Sequence, residues 1–192
     1  MPELPEVETT RRGIEPHVIG QKVASTVVRE RRLRWPIPVG FEKELAGRTI
    51  TATRRRAKYL LIDFDTGCLL IHLGMSGSLR MVAPEEQPRK HDHVDIGFDN
   101  GLVLRYHDPR RFGSMHWFSG GSHALLDHLG PEPLSDAFDG EYLHQQARKR
   151  GSAIKLFIMD AKVVVGVGNI YANEALFMAG IRPDRPANRV GK

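Results

Sequence analysis

RTITATRRRAKYLLIDFDTGCLLIHLGM, residues 48–75, decides the fold of the first half of the chain. Polar and apolar residues alternate, an apolar run follows, and Asp65-Thr66-Gly67 separates it from a second apolar run that begins at Cys68. Period-two alternation marks a half-buried strand and a short apolar run a fully buried one. A turn triplet ending in glycine joins two such runs as a hairpin. The reading is therefore one alternating strand through Phe64, with Lys58 inside it, paired with the strand that begins at Cys68. Working outward, VASTVVRE (23–30), HVDIGF (93–98) and GLVLRYHD (101–108) have the same character, and Asp99-Asn100-Gly101 joins the last two. The stretch to about residue 118 reads as an antiparallel sandwich or barrel.

Either side of this block the pattern is helical. MPELPEVETT opens a first helix over Leu4–Ile14, with proline at its start and carboxylates at the positive end of its dipole. LGPEPLSDAFDG (129–140) carries turn-forming clusters and reads as a linker, so the expected division is a domain over 1–129, a linker over 130–140 and a second domain over 141–192. In that second domain GEYLHQQARKR (140–150), AIKLFIMDAK (153–162) and NIYANEALFMAGI (169–181) are helical in pattern, the last with Gly180 as its stop. The fold class is α+β.

Composition narrows the function. The 192 residues are 41% hydrophobic and 27% charged, ordinary for a globular protein. No run of about 18 apolar residues and no basic-then-apolar leader occurs, so an intracellular protein without a membrane span is expected. A net charge of +5 and a pI near 9.6 favour a polyanionic partner, nucleic acid first among them. The single cysteine, Cys68, excludes an intrachain disulfide and any cysteine-based zinc finger within these residues.

Several short motifs can carry chemistry. Methionine before a residue as small as proline is a substrate for initiator removal, which would leave Pro2 first. Its secondary amine would titrate near neutrality, and lower at a helix N-terminus, which makes it a nucleophile able to form an iminium. Glu3 and Glu6 lie three apart on the same helix face, where one can act as a general acid. In RRRAKYLL the cations are either a solvated strand edge or, at Lys58, a contact for a phosphate or sugar. Met75, at the tip of GMSGSLR, is either a packed residue or an apolar wedge. DPRRFG (108–113) pairs Arg110 and Arg111 with Phe112, a phosphate clamp beside a planar wedge, which suits an enzyme that flips a base out of a duplex. His91 and His93 in KHDHVD alternate as metal ligands would, but with no third ligand nearby, phosphate contact or a surface role is preferred. GVGNIYANE places backbone N–H groups and Asn169 at a helix start, a phosphate site rather than a dinucleotide fingerprint.

Taken together, MPELPEVE, RRAKYL, HLGMSG, KHDHVD, DPRRFG, LGPEPL and VGVGNIYANE occur in this order over nearly the whole chain. The sequence thereby resembles the formamidopyrimidine-DNA glycosylases, which excise 8-oxoguanine and ring-opened purines. The resemblance implies an N-terminal β-sandwich carrying the first helix, then a partial helix–two-turn–helix domain, acting as a monomer on double-stranded DNA that contains oxidised purines or abasic sites. It implies a cytoplasmic bacterial enzyme in which Pro2 attacks C1′, displaces the base and forms an imine, followed by β- and δ-elimination. Glu3 matches the catalytic acid, Glu6 its supporting carboxylate and Lys58 the phosphate- and sugar-contacting lysine. Met75, Arg110 and Phe112 match the residues that fill the gap left by the flipped base, and His91, Arg110, Lys155 and Asn169 match phosphate contacts. The family's four-cysteine zinc finger has no counterpart here, so no metal or other cofactor is expected in this chain. The alternatives are a catalytically impaired DNA-binding remnant and the sister endonuclease VIII-like glycosylases for oxidised pyrimidines. Leu4 and the Met75, Arg110 and Phe112 set fit the purine branch better.

Overall fold

A computed structural model describes residues 2–191; Met1, whose removal is expected above, and Lys192 lie outside the described residues. The chain divides into two compact units, Met1–Gly121 and Ser122–Lys192.

The first unit is a sandwich of two four-stranded antiparallel sheets. Its strands are β1 (Val23–Val28), β2 (Ile50–Arg56), β3 (Tyr59–Phe64), β4 (Cys68–His72), β5 (Ser78–Val82), β6 (Asp92–Phe98), β7 (Val103–His107) and β8 (Ser114–Phe118). One sheet runs β1-β6-β7-β5 and the other β2-β3-β4-β8. Leu60, Ile62, Leu69 and Ile71 from one sheet and Ile96 and Leu104 from the other enter one core. Most of β3 and β4 is buried, which explains their near-continuous apolar runs, and every residue of β6 is buried, its Asp92, His93 and Asp95 included. Helix α1 (Leu4–Val18) adds Val7, Ile14 and Val18 to that core. It continues past the expected end at Ile14 with Pro16 inside it, and its last residue, Val18, is buried in that core. A short α2 (Phe41–Leu45), which the pattern did not announce, buries Phe41 and Leu45.

One correction bears on function. Arg48–Phe64 is not a single strand: β2 and β3 form a tight hairpin with Arg56 opposite Tyr59, so Ala57 and Lys58 are the turn. Ala57 takes a left-handed conformation, φ 54°, without the glycine or asparagine that normally signals it. Lys58 therefore projects from a hairpin tip rather than from a strand.

The second unit contains α3 (Gly140–Ala147), α4 (Ile154–Ile158) and α5 (Asn169–Met178). Ile154, Phe157, Val164, Ala172 and Leu176 form its separate core. The Asp139 carboxylate caps α3 by accepting from the Tyr142 N–H at 2.7 Å. Helices α3 and α4 are shorter than the pattern suggests. The α4 pattern ends early because the Asp160 side chain accepts from the Lys162 N–H at 2.9 Å, an Asx turn that competes with the helix. Gly180, φ 65°, follows α5 as its stop. Residues of 130–140 are held within this unit: Gly130 N–H donates to Ala161 O at 2.8 Å and Val165 N–H to Pro131 O at 3.1 Å. Among the described residues no helix is long and apolar enough to cross a membrane.

Candidate active site

At the start of α1, Glu3 is the N-cap residue, in extended conformation, and Pro2 precedes it. The Glu3 N–H donates to Glu6 Oε2 at 2.9 Å, so Glu6 ties down the backbone directly after Pro2. Only 1% of Glu3 is exposed, an uncommon position for a carboxylate and one that a helix cap alone does not require. Lys58 shares this environment. Burial pushes its ammonium pKa down, while the Glu3 and Glu6 carboxylates act in the opposite direction. The hairpin tip and the helix start are thus brought within electrostatic reach, which puts Lys58 near Glu3 and Glu6 at the start of α1.

His72, which the motif reading passed over, borders the same site. It ends β4 opposite Tyr59, the residue after Lys58, with ring centroids 5.0 Å apart. Burial, then the charges of Arg34 and Lys58, hold its imidazole down to about 4, so it is neutral at pH 7. Its Nδ1 accepts from the Gly74 N–H at 3.1 Å, which leaves Nε2–H as the donor. The available signal was a lone polar side chain closing the apolar run CLLI.

Met75 and Phe112 project from two loops fastened back to back. A Cβ on Gly74 would come within 2.4 Å of the Phe112 carbonyl carbon, and one on Gly113 within 2.6 Å of His72 O, so both contacts require glycine. The fully buried Asp108 joins these loops. It accepts from Ser76 Oγ at 2.6 Å and, through Oδ2, from Tyr106 OH and the Gly113 N–H at 2.9 Å each. Ser76 Oγ in turn accepts from the Arg110 N–H at 3.2 Å. On this frame Met75 is 41% and Phe112 43% exposed, an arrangement that holds large apolar side chains out in solvent. The Arg110 guanidinium lies over the Phe112 ring, 4.8 Å from its centroid.

His91 directly precedes β6 with φ 76°, and its carbonyl accepts from the Asp108 N–H at 3.0 Å, which puts it at the base of the same loop. Partial burial and then Lys90, His93 and His107 push its pKa down. His93 is not a metal ligand in waiting: it is buried, with Nε2 at 2.8 Å from Asp108 O. In the second unit Lys155 lies on α4 and Asn169 opens α5 after Gly168. Of the residues singled out from the sequence, the structure thus brings Lys58 near Glu3 and Glu6 at the start of α1, where Pro2 precedes Glu3. Met75, His91, Arg110 and Phe112 stand on or beside the two fastened loops. Lys155 and Asn169 belong to the second unit.

The arrangement combines Pro2 at the start of α1, a buried carboxylate, a desolvated lysine and the exposed side chains of Met75 and Phe112, and two family models match the chain. The formamidopyrimidine-DNA glycosylase N-terminal domain covers residues 1–115, and the H2TH domain of the same enzymes covers residues 129–192. The chain belongs to the formamidopyrimidine-DNA glycosylase family. Among its relatives, the formamidopyrimidine-DNA glycosylase of Methylococcus capsulatus is 60% identical over 192 residues, covering 99% of this chain and 71% of the relative. That of Thioalkalivibrio sulfidiphilus is 62% identical with the same coverage. The Lactococcus lactis formamidopyrimidine-DNA glycosylase in complex with DNA containing an abasic site superposes with a TM-score of 0.90 at 35% identity, covering 99% of this chain and 71% of that one. The same enzyme in complex with FAPY-dG-containing DNA gives 0.89 at 35% identity, over 99% and 73%.

The structural zinc of the family's C-terminal finger does not fit the residues present. Cys68 is the only cysteine, it is buried in β4, and burial followed by its hydrogen bond with Asp63 pushes the thiol up to about 12. Among the described residues no three His, Cys, Asp or Glu side chains are arranged to hold a metal ion.

Proposed function

We propose that this chain is a DNA repair glycosylase with abasic-site lyase activity, acting in the bacterial cytoplasm on duplex DNA that contains oxidised or ring-opened purines. The observation that carries the reading is the buried carboxylate of Glu3 beside Pro2, within reach of the desolvated Lys58.

With Met1 removed, the Pro2 amine attacks C1′ of the damaged nucleotide. The N–C1′ bond forms, the C1′–N9 bond breaks with its electron pair leaving on the purine, and the proline nitrogen gives up its N–H proton, which balances the proton the departing purine takes up. Glu3 then delivers a proton to O4′ as the C1′–O4′ bond opens, and the proline nitrogen lone pair completes the iminium. Loss of a C2′ proton expels the 3′ phosphate, loss of a C4′ proton expels the 5′ phosphate, and water releases Pro2 from the sugar remnant. Glu6 holds the helix start in position. Lys58 neutralises a backbone phosphate beside the reacting sugar, and its lowered pKa weakens its hold on the proton without making it the nucleophile. Met75 and Phe112 fill the space vacated by the flipped base, Arg110 and His91 contact phosphates, and Lys155 and Asn169 contribute phosphate contacts from the second unit.

Borohydride reduces the iminium to a stable amine, so incubation with duplexes carrying 8-oxoguanine or an abasic site should yield a covalent protein–DNA band. No band on either duplex refutes the reading. A band on an oxidised-pyrimidine duplex alone assigns the chain to pyrimidine lesions instead.

A further inference from the structure

The segment that follows β1 carries a second arginine–aromatic pair that no role above accounts for. Leu33 and Ile37 are sunk in the core, and both of their N–H groups donate to Arg31 O at 2.9 Å. Arg31 itself donates to Pro38 O at 2.8 Å and pairs with Glu42. Arg34, Trp35 and Pro36 therefore stand exposed on a fixed turn rather than on a loose loop. The Arg34 N–H donates to Gly113 O at 3.1 Å, which fastens this turn to the end of the loop that carries Arg110 and Phe112.

The side chains repeat what that loop does. The Arg34 guanidinium lies over Trp35, 5.9 Å from its centroid, as Arg110 lies over Phe112 at 4.8 Å. Trp35 in turn meets the His116 ring edge-on at 5.6 Å, so the plate behind the arginine is itself braced. Elsewhere in the unit arginines are neutralised, Arg29 and Arg105 by Asp95 and Arg54 by Asp63. Arg34 and Arg110 have no carboxylate partner among the described residues. An exposed guanidinium without a counter-ion, held on a rigid aromatic plate, offers its donor fork to an external anion at little entropic cost. Its field also reaches the site, since among the charges that depress His72 it comes first and Lys58 second.

We infer that Arg34, backed by Trp35, binds a backbone phosphate of the damaged duplex, adding one contact to those of Lys58 and Arg110. The inference rests on the DNA-glycosylase reading above. Neither a structural nor a catalytic need explains the placement, because the side chain is exposed and makes no ion pair among the described residues that a fold role would use.

The test compares wild-type chain with Arg34→Gln and Arg34→Lys in binding an abasic-analogue duplex across a salt series. Arg34→Gln should lower the slope of log affinity against log salt by about 0.9, one phosphate's worth, and weaken binding roughly five-fold near about 0.1 M salt. Arg34→Lys should restore most of the slope. Borohydride trapping at saturating protein and the unfolding midpoint should match wild type in both variants. If Arg34→Gln keeps the wild-type slope while the wild type binds and traps DNA, this inference alone fails. A lost slope accompanied by a lowered unfolding midpoint would overturn it in favour of a packing role. A wild-type chain that neither binds nor traps the duplex would refute the glycosylase reading and this inference with it.

Discussion

Ser76 and Asp108 lie 32 residues apart in the chain and share a hydrogen bond of 2.6 Å. That bond joins the loop bearing Met75 to the loop bearing Arg110 and Phe112. Asp108 takes three donors while fully buried, so its removal leaves Ser76, Tyr106 and the Gly113 N–H without their acceptor. Each orphaned group costs about 1–3 kcal/mol. Asp108→Ala should therefore lose about 3 kcal/mol or more in urea unfolding. Ser76→Ala, which removes one spoke, should lose about 1 kcal/mol and slow excision from a stable duplex more than cleavage of a ready-made abasic site. Equal slowing on both substrates would mean the loops do not set the wedge.

At the helix start, Pro2→Gly should nearly abolish imine trapping while leaving duplex binding largely intact. Glycine offers only a primary amine there, without the proline ring that aims the nitrogen. Glu3→Gln should slow release of 8-oxoguanine far more than strand cleavage at an abasic site, because the acid assists opening of the closed sugar. Intact-mass analysis should show active protein beginning at Pro2. Retained Met1 in active protein would remove the nucleophile from the account.

Part of this site was legible in the sequence. The helix over the first residues follows from Pro-Glu spacing, and the sandwich from period-two runs with their Asp-Thr-Gly and Asp-Asn-Gly turns. Lys58 was misplaced because its hairpin turns at Ala57, where a left-handed alanine gives no local signal and only the cross-strand register reveals it. The Asp108 bonds and the tie between Arg34 and Gly113 join residues far apart in sequence, and no periodicity reports such pairings. His72 shows the same limit: its role depends on sitting opposite Tyr59, a fact of register rather than of composition.

His72 also sets a pH dependence. Its imidazole pKa is held at about 4 in the fold against 6.5 for the free side chain. Between these values the unfolded chain binds a proton that the folded chain refuses, so stability is full above about 6.5 and is lost as pH falls toward 4. The whole interval corresponds to about 3 kcal/mol, at 1.36 kcal/mol per pKa unit. His72→Gln should therefore flatten the fall in the urea midpoint between pH 7 and pH 5, whatever its effect at pH 7. An unchanged pH profile would show that His72 titrates normally in the folded chain.

Met75→Ala and Phe112→Ala test the wedges. Met75 and Phe112 are 41% and 43% exposed, so truncation should lower the unfolding midpoint less than truncation of a fully buried core side chain does. Excision should fall on a fully paired duplex, because a wedge offsets the few kcal/mol needed to unstack and unpair the target. On a duplex whose lesion sits in a mismatch that cost is already reduced, and the loss should shrink with it. A buried structural residue would behave in the opposite way, with lower stability and the same loss on both duplexes. The comparison thus separates a side chain that acts on DNA from one that acts on the fold. The fixed loops argue for the first outcome, since Gly74, Gly113 and Asp108 are used to hold apolar groups out in water.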